Sequence, residues 1–94
     1  MKKVIYSPHL TFRLKFRGIP DELPKTIYLT SKERYFDKDT FKKVAVKRVK
    51  SKARVREMAV IYGEVNGQAN LITIHPLKKY QKYNRVKSGR WVKL

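Results

Sequence analysis

The chain has 94 residues, 24 of them Lys or Arg against seven Asp or Glu, for a net charge of +17. That length predicts one domain over residues 1–94 with a single core, and the 12% aromatic content excludes a disordered basic tail. Cysteine is absent, which excludes disulfides, thiolate metal sites and a Cys nucleophile and fits a reducing compartment, while the unbalanced charge calls for a polyanionic partner, nucleic acid first.

An anionic membrane is the rival partner, but it calls for one basic amphipathic helix or a basic block beside an apolar anchor, and here the cations are scattered through every segment. MKKVIY holds too few apolar residues before Ser7 and Pro8 for a signal-peptide core, and no run approaches a membrane span. A soluble cytoplasmic chain is expected, with no membrane contact.

Lys2 to Tyr6 reads as a short strand. The next stretch, SPHLTFRLKFRGIP, carries two patterns at once. Leu10, Phe12, Leu14 and Phe16 alternate with polar residues as in a half-buried strand. Against that, Ser7 is a good N-cap, Pro8 suits the first helical position, Gly18 suits a helix end and Pro20 lies just beyond it. These four signals favour a helix from Pro8 to Arg17. Its i+4 steps align His9, Arg13 and Arg17 into one cationic ridge, and set Leu10 and Leu14 far round the helix from Phe12 and Phe16. Such a helix is buried on two sides or leaves its phenylalanines for a second chain, a homodimer through Phe12 and Phe16 being the simplest case.

Pro20, Asp21 and Glu22 resemble the acidic first turn of a second helix running to about Leu29, with Leu23, Ile27 and Tyr28 inward. Glu33 to Phe36 is a weak strand, and the DKDT after it is a turn. Phe41 to Val49 is a strand with Val44 and Val46 on one face and Lys43, Ala45 and Lys47 on the other. SKAR, from Ser51, reads as a charged loop. Met58 to Val65 is apolar on both faces, the mark of a central strand. Asn66-Gly67 accepts the positive φ of a type I′ turn, so Leu71 to Ile74 should pair antiparallel with that strand. Pro76 ends the sheet. Leu77, Tyr80 and Asn84, with Tyr83, can share the face of a terminal helix that Ser88-Gly89 stops, leaving Arg90 to Leu94 as a tail. The fold class is therefore α+β: two short N-terminal helices on a three- to four-stranded antiparallel sheet, with a C-terminal helix.

His9 and His75 are the side chains that titrate near neutral pH without large perturbation. Two His without Cys make a poor zinc set, so no metal and no cofactor is expected. Nucleophile-elbow and phosphate-loop motifs and paired carboxylates are missing from the sequence. What remains is chemistry that cations can do. RNA is cleaved without metal when its 2′-OH attacks the neighbouring phosphorus, a base takes the proton, an acid protonates the leaving oxygen, and Arg or Lys stabilise the transition state. Arg13, Arg17, Arg85 and Arg90 could supply the electrostatic part, and His75, Tyr80 or Lys79 the proton transfers. In KKYQKYNRVKSGRW, cations interleave with Tyr80, Tyr83 and Trp91, offering phosphate neutralisation and flat faces for unpaired bases.

The spacing H-x-x-x-R-x-x-x-R-G-I from His9 to Ile19, ITIHP at 72 to 76 and an NR-x-x-SGRW ending resemble a family of small, functionally unassigned proteins that is similar to the BrnT and RelE-like toxin superfamily. The resemblance implies helices against an antiparallel sheet, metal-independent endoribonuclease activity and an antitoxin partner. Residue by residue it reaches Arg17 with Gly18-Ile19, and the basic segment around Arg85. BrnT-like toxins begin with an aromatic and acidic signature before the first helix, where this chain has MKKVIYSPHL.

The expectation is an RNA-binding, toxin-like protein with metal-independent ribonuclease activity; the competing class is a non-catalytic binder of DNA or RNA. The expected site is His75, Arg13, Arg17, Arg85 and Tyr80. His9, Lys43, Lys47, Lys78, Lys79, Tyr83, Arg90 and Trp91 are the expected nucleic-acid contacts, with the strand lying over an exposed sheet face between the first helix and the terminal segment.

Overall fold

The Oγ of Ser7 accepts the Leu10 amide at 3.0 Å, Pro8 occupies the first turn, and Gly18 takes a left-handed φ of 64° as Ile19 donates back to the Leu14 carbonyl at 2.9 Å. Capping chemistry therefore outweighs alternation, and the ambiguous stretch is a helix, α1 (Pro8–Arg17). Leu10 and Leu14 go into the core, while Phe12 and Phe16 remain 66% and 75% exposed with their rings stacked at 5.9 Å.

The computed structural model describes residues 3–51 and 54–94. Lys2 of the expected first strand, and Lys52 and Ala53 of the expected SKAR loop, lie outside them. The first strand is β1 (Lys3–Tyr6), and α2 (Leu23–Thr30) starts later than expected: Asp21 and Glu22 precede it, and Pro24 sits in its first turn. Ile27 and Tyr28 are buried, Leu23 partly so. After α2 come β2 (Glu33–Asp37), β3 (Lys42–Ser51), β4 (Arg54–Val65) and β5 (Gln68–Pro76). Asn66 and Gly67, both at positive φ, turn β4 into β5 as their types require. The chain closes with α3 (Gln81–Lys87) and β6 (Trp91–Lys93).

The class is α+β, but the sheet corrects the expectation of three or four antiparallel strands. Among the described residues it has six, in the order β1-β5-β4-β3-β2-β6. It is mixed because β1 runs parallel to β5, from Lys3 opposite Gln68 to Tyr6 opposite Leu71. The supposed tail supplies the other edge: Trp91 pairs with Asp37 and Lys93 with Tyr35, antiparallel. The terminal helix is also shorter than expected, since Tyr80 adopts φ 65° and breaks the turn before Gln81. Leu77 accordingly packs on the sheet from a non-helical segment.

The single core expected from the length is corrected: the sheet divides the buried residues into two clusters, one on each face, as strand alternation dictates. On one face Ala45, Met58, Val60, Tyr62, Leu71 and Ile74 pack with Leu10, Leu14, Ile27 and Tyr28 from α1 and α2. On the other, Tyr35, Val44, Val46, Ala59 and Trp91 form a second cluster. There Lys82 of α3 reaches Glu33 at 2.8 Å and Glu57 at 2.7 Å. α1 and α2 thus pack on one face while α3 sits on the side of the other, so α1 and α3 do not flank one open face, and the expected path of a strand between them is corrected accordingly. No helix among the described residues is long and apolar enough to cross a membrane.

One irregularity positions a histidine. Tyr62 pairs with Leu71 and Ile61 with Thr73, so Ile72 is an extra residue in β5. This bulge lets Leu71 and Ile74 share the α1 side and sends His75, opposite Ala59, to the α3 side. In regular alternation His75 would point into the first core.

Candidate nucleic-acid interface

Pairing of β1 ends at Tyr6, leaving the edge of β5 beyond Leu71 with no neighbouring strand among the described residues. Side chains from the α1 region take its carbonyls instead. Ser7 Oγ donates to the Ile72 oxygen at 2.7 Å, and Arg13 Nε donates to the Ile74 oxygen at 2.8 Å. The Arg13 guanidinium is thereby fixed at the sheet edge, its terminal nitrogens making no hydrogen bond to the described residues.

His75 lies beside it. Its Nδ1–H donates to the Pro76 carbonyl at 3.3 Å, so a neutral ring keeps its lone pair on Nε2. Burial holds its pKa below the ordinary 6.5; the Pro76 bond opposes this, and the charges of Arg13 and Arg85 add to it. The imidazole is therefore neutral at pH 7, with the charges of two guanidiniums acting against its protonation. Arg85 acts from α3, its guanidinium 5.7 Å from the Trp91 ring centre. Three of the five expected site residues are thus linked electrostatically, the charges of Arg13 and Arg85 both acting on His75. The other two are not: Tyr80 caps α3 as an exposed ring with the Lys79 ammonium 5.2 Å above it, and Arg17 lies on the α1 side of the sheet.

Arg17 belongs instead to a groove of about 360 Å³ between the end of α1 and the strands beneath it. Arg13, Arg17, Arg54 and Arg56 line it, over a floor that includes Leu23, Val49, Met58 and Ile74. None of the four arginines has an ion-pair partner among the described residues. Arg54 and Arg56 were missed because the segment reads as a charged loop. Their signal is the period-2 series Arg54, Arg56, Met58, Val60, which places two cations on the same strand face as the core.

The remaining expected contacts divide by what holds them. His9 is exposed on α1. Lys43 pairs with Glu64 at 2.9 Å, and Lys47 donates to Thr30 Oγ1 at 2.7 Å. Lys78 and Lys79 are exposed before α3, and Tyr83 is exposed with Lys87 5.7 Å from its ring centre. Arg90 and Trp91 are corrected as surface contacts. Trp91 is 2% exposed, stacks on Tyr35 at 5.4 Å and donates Nε1–H to Asp37 at 3.2 Å; β6 is a sheet edge, and its inward ring is core. Arg90 forks onto the same carboxylate at 3.0 and 3.1 Å and reaches Asp39 at 3.3 Å. Although burial disfavours the Asp37 charge, Arg90, the Asp39 amide and Trp91 outweigh it and hold its pKa below 3.8.

The acidic residues are largely used up in this way. Three cations, Lys43, Lys82 and Arg90, engage Glu64, Glu33, Glu57, Asp37 and Asp39, which is five of the seven acids. The other two, Asp21 and Glu22, lie between groove-lining Pro20 and Leu23, and among the described residues no ion pair joins them to the groove arginines, whose charge is open to an external anion.

Comparison with protein-family models, with curated proteins and with solved structures finds no match to this chain.

Proposed function

We propose that this chain binds RNA in a toxin-like role, along a cationic track that runs from the arginine groove over Arg13 to His75 and Arg85. The observation that carries the reading is Arg13, which lines the groove and also acts on His75, joining a phosphate-binding surface to a neutral imidazole. Exposed Tyr80 and Tyr83, each with a lysine over its ring, add faces for unpaired bases and favour single strands. The resemblance to BrnT and RelE-like toxins extends the proposal to a RelE-like relationship of fold, a cytoplasmic setting and a neutralising antitoxin partner.

A specific observation favours cleavage as part of this function. His75 Nε2 is free to take the proton of a 2′-OH as that oxygen attacks the adjacent phosphorus. Arg13 and Arg85 stabilise the added negative charge, the bond to the 5′ oxygen breaks, and water protonates that oxygen. The products are a 2′,3′-cyclic phosphate and a 5′-hydroxyl.

The test is incubation of labelled single-stranded RNA with the pure chain in EDTA, with binding followed across a salt series. RNA should bind with an affinity that falls steeply as salt rises, and wild type should cleave it while His75→Gln does not. Binding without cleavage would reduce the function to that of a nucleic-acid-binding protein. Absence of binding at low salt would remove the reading.

A further inference from the structure

We infer that the arginine groove takes one unstacked nucleotide of an RNA strand, its base on the Leu23, Met58 and Ile74 floor and its two flanking phosphates on Arg13, Arg17, Arg54 and Arg56. The inference rests on the RNA-binding reading and adds to it a place where a single base is held.

The lining dictates the ligand's two halves. None of the four guanidiniums makes an ion pair among the described residues, and guanidinium forks suit phosphate oxygens. The floor is apolar and includes the Met58 side chain, a polarizable surface suited to an aromatic ring. A bare phosphate would leave that floor wet, whereas a base covers it. Volume narrows the choice further, since about 360 Å³ lies at the low end of small-ligand sites. A nucleotide fits that space; a duplex does not.

The groove also has a direction. Along β4, Arg54 and Arg56 precede Met58 on one strand face, so the cations form a rim at one end of the floor. Arg13 stands at the opposite end, its Nε–H pinned to the Ile74 carbonyl. A nucleotide spanning the two ends sets one phosphate on Arg13 and the other on the Arg54 and Arg56 rim. The base held between them gives the site a preference at one position of the strand.

The test uses the intact chain with a nucleoside 3′,5′-bisphosphate, which has a phosphate on each side of one nucleotide. Ribose 5-phosphate and inorganic phosphate are the baseless controls. The bisphosphate should bind about tenfold or more tightly than either control, within the range for stacking one base. Filling the groove with Val49→Trp and reversing its rim with Arg54→Glu and Arg56→Glu should each remove that advantage. Arg54 and Arg56 are exposed, so the charge-reversed chain keeps its fold, as its circular dichroism will show. Equal affinity for probe and controls, or an undiminished advantage in both variants, overturns the assignment. A single-stranded RNA still bound by wild type in that case leaves the RNA-binding reading standing, and an RNA not bound at low salt removes both.

Discussion

Arg13 of α1 donates its Nε–H to the Ile74 carbonyl of β5 at 2.8 Å, so one cation both seals a sheet edge and faces the groove. Removing it should be felt twice. Arg13→Ala should destabilise by about 1–2 kcal/mol, the scale of a hydrogen bond made by a charged donor. For single-stranded RNA, log K against log salt should become shallower by about 0.7 for each phosphate that is no longer neutralised. Arg13→Lys keeps the charge but cannot give one N–H to Ile74 while aiming two more outward, so it should restore the salt slope and not the stability. Urea unfolding and fluorescence anisotropy measure the two effects; a full stability rescue by lysine would show the Ile74 bond to be idle.

The Asp37, Arg90 and Trp91 cluster should behave as structure rather than as an RNA surface. Trp91→Ala should cost about 3–5 kcal/mol, as expected for emptying a large aromatic site. Arg90→Ala strands a buried carboxylate and should cost about 3 kcal/mol at neutral pH. Because the folded pKa of Asp37 lies below 3.8, this stabilisation is complete above that value and is lost as pH falls through the folded pKa. The Arg90→Ala deficit should therefore shrink in acid. Trp91→Phe should leave RNA affinity unchanged while lowering the denaturation midpoint, and a selective loss of RNA binding would return Trp91 to the interface.

Much of the fold was legible where a residue type has a local mechanism. Ser7, Pro8 and Gly18 marked both ends of α1, and Asn66-Gly67 marked the hairpin. What escaped depends on long-range register. Nothing local says that Ile72 is extra in β5, yet that one residue decides which face His75 takes. Trp91 lies close to the chain end, where a surface tail is the natural expectation; its burial comes from pairing with Asp37, 54 residues away. At the site, His75, Arg13 and Arg85 stood out by chemistry alone. Their electrostatic link needed the bulge and the uncovered β5 edge, and Arg54 and Arg56 were hidden by reading a strand end as a loop.

Phe12 and Phe16 sit 5.9 Å apart and largely in solvent, so their loss should hardly touch the fold. Phe12→Ser with Phe16→Ser should change stability by about 0.5 kcal/mol or less, whereas Leu10→Ala or Leu14→Ala should cost about 2–5 kcal/mol. Self-association through the pair has to overcome repulsion between two chains of +17 each, with Arg13, Lys15 and Arg17 on the same helix. A homodimer through this patch should therefore strengthen with salt, as screening shortens from about 10 Å at 0.1 M to about 3 Å at 1 M. RNA binding has the opposite sign. Sedimentation at low and high salt decides it: the double Ser variant should be monomeric at both, and a salt-induced dimer persisting in that variant would place the interface elsewhere.

The pH dependence of stability should have two separate limbs. On the acid side, burial and two arginines hold the folded pKa of His75 below 6.5, so the unfolded chain binds more protons in that interval. The contribution of neutral His75 is complete above 6.5 and declines as pH falls through its folded pKa, and Glu33 and Asp37, held below 4.5 and 3.8, add their own losses in acid. Cleavage by a His75 base should decline in the same direction, as protonation removes the lone pair. On the alkaline side, burial and the 2.6 Å bond to Glu33 push the Tyr35 hydroxyl up to about 12 from 10.0. The folded state holds that proton more tightly, so the stability it confers is present below 10.0 and is lost as pH rises through about 12. Urea midpoints measured across both limbs should show His75→Gln flattening the acid limb alone and Tyr35→Phe flattening the alkaline one. An acid limb that keeps its full slope in His75→Gln would show that burial of this imidazole does not set the midpoint there.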